Sequence, residues 1–400
     1  MIWQALTLQL GYNATLVAIG ATLLGIAAGV TGSFLFLRKR ALVSDAISHA
    51  TLPGIGLAFI VMVVMGGDGR FLPGLLIGAA VSSGLGLLVI SWMTKRTRLA
   101  EDAAIGTVLS VFFGAGIVVL TIIQSMQVGR QAGLESVLLG STAGMLRNDA
   151  LVIAAGGACV LLLVLLLRRP MLAVGFDPDY AAVTGTHVGR IDLAMMGLVM
   201  AVTVLGITTV GLVLIVALLI IPAVTARLWS DRGVLIAGLA GAIGGISAYL
   251  GSAISATAPA LPTGPIIVLV SFALFVLSLA LAPVRGGLAL LLRRLRFRRQ
   301  VHRRQGLLAL GLGQPIREPF TLALLVREGF ARPDGVATQA GHAAGAKALL
   351  DEARWRALRE DPTHGLNASL HDGLTPIEDV LTADQIATLD RRLPRPQGVM

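Results

Sequence analysis

The sequence predicts an all-α, polytopic membrane protein of eight or nine spans, followed by a soluble domain. Three observations lead there. Only 14% of the 400 residues are charged, 55% are hydrophobic, and mean hydropathy is +0.83. A soluble domain carries about 25% charged residues, so this composition cannot cover a water-facing surface. Apolar runs of membrane-crossing length recur along most of the chain, and stretches such as 212–221 (LVLIVALLII) show no polar–apolar alternation, which excludes a β-barrel. The charge is also unevenly placed: residues 1–292 hold 15 Lys+Arg and 10 Asp+Glu, whereas 293–400 hold 17 and 12. The chain therefore divides into a transmembrane domain, 1–292, and a soluble extension, 293–400.

In order, the apolar runs place spans at 12–37, 46–66, 71–94, 103–124, 149–167, 193–229, 234–251 and 264–283. A span needs about 17–25 residues. The run 193–229 is longer than that, so it is either a helical hairpin turning near Thr208 to Gly211 or one span with a re-entrant piece. Segment 130–147 is too polar to cross and is placed at the outer interface. Basic clusters at Arg38-Lys39-Arg40, Lys95-Arg96, Arg168-Arg169, Arg227 with Arg232, and 293–304 mark the cytoplasmic side. Nine spans put the N-terminus outside. The net charge of +10 is strung along these loops and the tail, so no nucleic-acid partner is expected. The single cysteine, Cys159, excludes an internal disulfide and a thiolate metal cluster.

Ionisable residues inside spans are costly and mark a pathway. Here they gather at the entry to the second span, where Asp45 precedes His49, the one histidine of six that lies in an apolar run. Spacing i,i+4 puts both on one helix face. Carboxylate plus imidazole suits Mn²⁺, Fe²⁺ or Zn²⁺, whereas Cu(I) would want sulfur ligands. Asp45 is then a metal ligand with His49, or else it caps the helix and orients the histidine. Two ligands do not close a shell. Water, carbonyls freed near Pro53, or the same pair from a second subunit would complete it.

There is no G-x-x-x-x-G-K-[ST] segment, no H-E-x-x-H and no Ser/His/Asp constellation, so an enzyme acting alone is not expected. Transport driven by a partner or an ion gradient remains. After Arg168-Arg169, Asp177 suits an N-cap, Pro178 the first helical position, Asp179 the helix dipole and Gly185 the residue past the last turn. The result is a short helix through Tyr180, Ala181 and Ala182, either docking into a partner ATPase or forming a plain interfacial loop.

The run Arg40-Ala-Leu-Val-Ser-Asp-Ala-Ile-Ser-His-Ala-Thr-Leu-Pro-Gly54 resembles the signature of the ABC-3 metal-ion permeases. Glu101-Asp-Ala-Ala-Ile-Gly106, Phe176-Asp-Pro-Asp179, the stretch 211–223 and Thr263-Gly-Pro-Ile-Ile-Val268 match in order, so the likeness covers about 10–285. The resemblance implies a multi-pass inner-membrane permease, a homodimer or a heterodimer with a paralogous permease, an ABC ATPase subunit and a metal-delivering solute-binding protein. It also implies that Asp45 and His49 line the path of a transported Mn²⁺, Zn²⁺ or Fe²⁺, with no permanently bound cofactor.

Beyond this region, Arg327-Glu-Gly-Phe-Ala-Arg332, Gly335-Val-Ala-Thr-Gln-Ala-Gly341 and the run 342–360 resemble the cytoplasmic extension of the manganese/iron branch, an α/β winged-helix-like domain. That likeness places Mn²⁺ ahead of Zn²⁺. His342, His364 and His371 are candidate regulatory ligands there. The competing readings are a metal-chelate permease of the siderophore or cobalamin type, an ion-coupled secondary transporter, and a membrane sensor with the tail as output.

Overall fold

The structure, a computed structural model, describes residues 7, 12–67, 69, 71–126, 147–207, 211–257, 261–360, 372–391 and 393. Most of segment 130–147, together with His364 and His371, lies outside them. The chain forms two compact units, Met1–Ala289 and Leu290–Met400.

The first unit is a bundle of α1 (Tyr12–Leu37), α2 (Ala41–Val64), α3 (Leu72–Arg96), α4 (Glu101–Ser125), α5 (Arg147–Phe176), the short α6 (Pro178–Val183), α7 (Val188–Ile207), α8 (Leu212–Trp229), α9 (Gly233–Ser255) and α10 (Thr263–Leu281). Among the described residues, eight of these are long and apolar enough to cross a membrane, and Leu214–Trp229 of α8 is a shorter apolar helix. The long run 193–229 holds two helices, α7 and α8, and the expected turn near Thr208 falls on 208–210, outside the described residues. Asp192 near the start of α7 pairs with Arg38, and Arg227 near the end of α8 lines a cleft with Arg38, so both ends lie at the same end of the bundle. Gly206, near the end of α7, packs on Ile215, near the start of α8. The basic corner at 38–40, Lys95, Phe176, Arg227 and Arg285 all fall at one end.

Small residues set the packing. The most extensive helix pair is α1 with α9. A side chain added at Gly25 would strike the Gly244 carbonyl oxygen, and one at Gly29 that of Ala240. Without a hydrophobic drive between helices in lipid, such close backbone approach supplies the dispersion that holds them. On the other side, α2 lies between α3 and α4: Gly54 and Gly78 meet backbone to backbone, and Gly116 sits on Leu52. Helix α5 runs well past the predicted end at 167, through Arg168, Arg169 and Pro170, because its last turns still bury Met171 and Val174.

Among its described residues the second unit is helical, which does not support the α/β domain the resemblance implied. Its elements are α11 (Gly287–Gly311, which begins in the first unit), α12 (Pro319–Arg327), α13 (Gln339–Glu360), a 3₁₀ turn (Ile377–Asp379) and α14 (Ala383–Asp390). The expected wing is a single antiparallel bridge, Ala331 to Ala337, and no strand is present among the described residues. The reason is local. A tight turn with Gly335 at φ +84° consumes the residues between the bridge partners, and α12 ends and α13 begins too close on either side for a ladder to extend.

One apolar core gathers Leu307, Leu310, Leu325 and Ala348; another gathers Trp355, Leu358, Ile377 and Leu389. Asp351 is shared: it accepts from Arg304 at 2.8 Å and from the Ile377 amide at 2.8 Å. Arg354 grips Asp390 with two bonds of 2.7 and 2.6 Å, and that hydrogen bonding holds the Asp390 carboxyl below the usual range. Asp372 is held low by the amides of Thr375 and Leu374. A carboxylate whose folded pKa is depressed stabilises above its unfolded pKa, about 3.9, and the contribution is lost as pH falls through the lowered value. The protection of 372–391 against hydrogen exchange, taken relative to the intrinsic amide rate at each pH, is therefore expected to fall below about pH 4. Asp390→Asn should flatten that dependence, and protection that stays constant with pH in the native chain would contradict it.

Candidate metal pathway

Helix α2 begins at Ala41, and its N-cap is Arg40, which makes no capping side-chain bond. Asp45 therefore stands in the second turn, so the capping reading of Asp45 does not hold. The i,i+4 spacing aims Asp45 Oδ1 at His49 Nε2, 3.5 Å away. That is ion-pair range, longer than a good hydrogen bond. The imidazole rests edge-on against Phe113 of α4 with centroids 5.0 Å apart, and its buried Nδ1 has no hydrogen-bond partner.

Pro53 lies inside the same helix. It has no N–H, so the carbonyl of His49, four residues earlier, loses its normal helix bond. His49 thus turns a ring nitrogen to a carboxylate, and its own carbonyl, directed toward Pro53, lacks its helix donor. This set of oxygen and nitrogen donors fits a borderline divalent ion. Among the described residues no cluster of three or more His, Cys, Asp or Glu side chains is placed to hold a metal.

Next to Asp45 the helix face stays polar and covered. Ser44, Ser48 and Thr51 are buried, and each hydroxyl donates back to a carbonyl of its own helix, to Ala41, Ser44 and Ser48 respectively. About one turn further toward the basic end lies an ion network. Arg38 forks onto Asp192 with bonds of 2.9 and 2.8 Å, while Arg40 meets Glu101 at 2.7 Å and Asp192 at 3.2 Å. Arg38 and Asp192 keep only 16% and 14% of their side-chain surface exposed. The sequence reading used the two arginines as topology markers and missed their partner. The available signal was that Asp192 is the one acidic residue in the apolar Val188–Ile207 helix.

Helix α6 has the expected capping. Asp177 Oδ1 accepts from the Tyr180 amide at 2.9 Å, Pro178 opens the helix, and Gly185 takes φ +85°. Ala181 is fully buried, whereas Ala182 is exposed, as are Phe176, Tyr180 and Val183, the last at 89%. The helix thus turns an apolar face outward, beside a cleft of about 630 Å³ lined by Phe36, Lys39 and Arg227.

Residues 12–282 match the ABC 3 transport family. The chain belongs to the ABC 3 transport family. ABC 3 relatives include the manganese transport system membrane protein MntC of Bacillus subtilis, 40% identical over 312 residues, covering 77% of this chain and 70% of that protein. The zinc transport system membrane protein TroC of Treponema pallidum is 39% identical over 285 residues, covering 71% of this chain and 94% of that protein. Among solved structures, PsaBC from Streptococcus pneumoniae in complex with Fab superposes with a TM-score of 0.63 at 31% identity, covering 72% of this chain and 99% of that one.

Proposed function

We propose that the chain is the membrane-spanning permease subunit of an ATP-binding cassette importer that carries a divalent transition-metal ion, Mn²⁺ foremost, into the cytoplasm. The observation that carries this reading is the Asp45–His49 pair, two convergent O/N donors and the only ionisable side chains in α2 of an ABC 3 chain. Transport needs a site that releases its ion, and an open shell of oxygen and nitrogen donors suits that better than a closed four-ligand zinc centre. Support for manganese comes from MntC. That match covers more residues than 1–282 contain, so part of the tail is shared with a protein named for manganese. TroC, named for zinc, keeps Zn²⁺ as the competing cargo.

Membership in the ABC 3 family supports an ATPase and a solute-binding protein as partners, and exposure supports a second permease chain. The Asp45 side chain is 40% exposed within a single chain. A carboxylate there is too costly against lipid, so a second permease chain is expected to cover that face and enclose the pathway. The positive-inside rule supports reading the basic end as the cytoplasmic side, and on that reading residues 293–400 lie in the cytoplasm as well. The outward face of α6 is the docking element for the ATPase, and a solute-binding protein delivers metal at the opposite end.

Cysteine crosslinking to the ATPase should succeed from Ala182→Cys. It should fail from Ala181→Cys, where the side chain is covered. Labelling of position 182 only from outside the cell would refute this topology. The function itself is tested by uptake of radioactive Mn²⁺ and Zn²⁺ into proteoliposomes holding the permease with its ATPase and binding protein. ATP-dependent Mn²⁺ entry supports the proposal. Uptake by the permease alone would identify an ion-coupled carrier, uptake of a metal chelate but no free ion a chelate permease, and no flux a sensor.

A further inference from the structure

Helix α11 changes character along its length. Residues 287–292 read Gly-Leu-Ala-Leu-Leu-Leu, and residues 293–304 then hold all seven arginines of a 25-residue helix that contains no acidic residue. Its last turns join the core of the second unit through Leu307 and Leu310. Between these ends the helix is bare: every residue from 291 to 300 is exposed. Leu288, Leu290, Leu291, Leu292, Leu295 and Phe297 keep 44–59% of their surface uncovered.

An unpacked helical stretch of this length is marginal in water, so something must cover it. Two of the arginines are already engaged: Arg303 pairs with Glu328 at 2.7 Å and Arg304 with Asp351 at 2.8 Å. Arg298 lies over the Phe320 ring, 4.5 Å from its centroid. Among the described residues, Arg294, Arg296 and Arg299 have no acidic partner.

The arrangement of polarity selects the occupant. Steps of 100° per residue scatter these arginines around the whole circumference, so no single apolar stripe is presented to a protein groove. The gradient runs along the axis instead, from leucine to arginine. A medium that is apolar and then anionic over a few ångströms matches it, and the acyl–headgroup boundary of an anionic leaflet is such a medium. A nucleic acid would satisfy the arginines and leave the leucines in water.

We propose that α11 binds anionic phospholipid: its leucine end enters the apolar boundary, and Arg294, Arg296 and Arg299 engage lipid phosphates.

The full-length chain in neutral detergent can be titrated with fluorescent phosphatidylglycerol and, separately, phosphatidylcholine. Changing Arg294, Arg296 and Arg299 together to Gln is expected to weaken phosphatidylglycerol binding about a hundredfold, a factor of about five for each arginine. The matching triple change to Lys should retain most of the affinity. A control triple to Gln at the exposed Arg317, Arg327 and Arg356 removes the same net charge and should leave affinity unchanged. Equal loss in both Gln triples, no preference for phosphatidylglycerol over phosphatidylcholine, or displacement of the lipid by an equimolar DNA oligonucleotide would each overturn the proposal. Should the Gln triple not assemble, a fluorophore on Leu291→Cys in nanodiscs asks the same question. Its emission should shift to the blue in phosphatidylglycerol relative to phosphatidylcholine discs, and identical spectra would again overturn it.

Discussion

Asp45→Ala and His49→Ala are each expected to abolish metal uptake while leaving assembly intact. Loss of a mere supporting partner of a metal ligand lowers affinity by about 10–100-fold, so removing a direct donor should cost at least the upper figure. The alanine variants give up no short hydrogen bond, since the pair stands at 3.5 Å and the buried His49 Nδ1 has no partner, and His49→Ala loses only the edge contact with Phe113. The informative variant is Asp45→Asn. It keeps shape and hydrogen bonding but removes the charge, so a structural role would survive it and a metal role would not. The readout is radioactive Mn²⁺ accumulation in cells lacking the native gene, with protein level checked in the membrane fraction. Normal accumulation in both alanine variants would place the pathway elsewhere.

The second large effect is expected at the ion network. Asp192→Ala leaves Arg38 without its fork and Arg40 without one of two acids, in a site that excludes most solvent. Breaking such a covered pair from one side costs about 3–5 kcal/mol, because the remaining charge is still desolvated. Thermal unfolding in detergent should show that loss for Asp192→Ala. Combining it with Arg38→Ala should cost clearly less than the sum of the two single changes, which is the signature of a direct pair. Single variants within about 0.5 kcal/mol of the parent would mean that the network is an ordinary surface feature.

The spans were legible because lipid demands long apolar helices and tolerates little else. Boundaries were less so. The Arg168-Arg169 pair looked like a loop, yet long arginine side chains can stay on a helix and reach outward, and α5 continues through them. The pairing of Asp45 with His49 followed from helical spacing alone. Asp45's depth did not, since Arg40 and Asp45 are near neighbours in sequence and only the start of α2 at Ala41 separates cap from interior. Contacts between distant helices left no local trace: Asp192 meets Arg38 across 154 positions, and Phe113 reaches His49 from another helix. The tail misled for a different reason. Gly329 and Gly335 both take positive φ, which is what a hairpin needs, but the flanks are too short to pair beyond one bridge.

Between α1 and α9, backbone rests on backbone. Carbonyl oxygens fill the places where side chains would stand at Gly25, Gly29 and Gly244. Side-chain layers can slip by changing rotamers; a joint made of main-chain atoms has none to change. It can hold or part, but it cannot creep, so the two helices act as one stiff keel. Compliance has to lie where the keel meets α2, at the corner of Arg38, Lys39 and Arg40. There Lys39 carries φ +59°, the only positive value at a non-glycine among the described residues. The pivot therefore sits between the two arginines that hold Asp192 and Glu101. Any swing of α2 against the keel must pull on those ion pairs before it displaces Asp45, so the mechanical load of a transport stroke falls on the charges first.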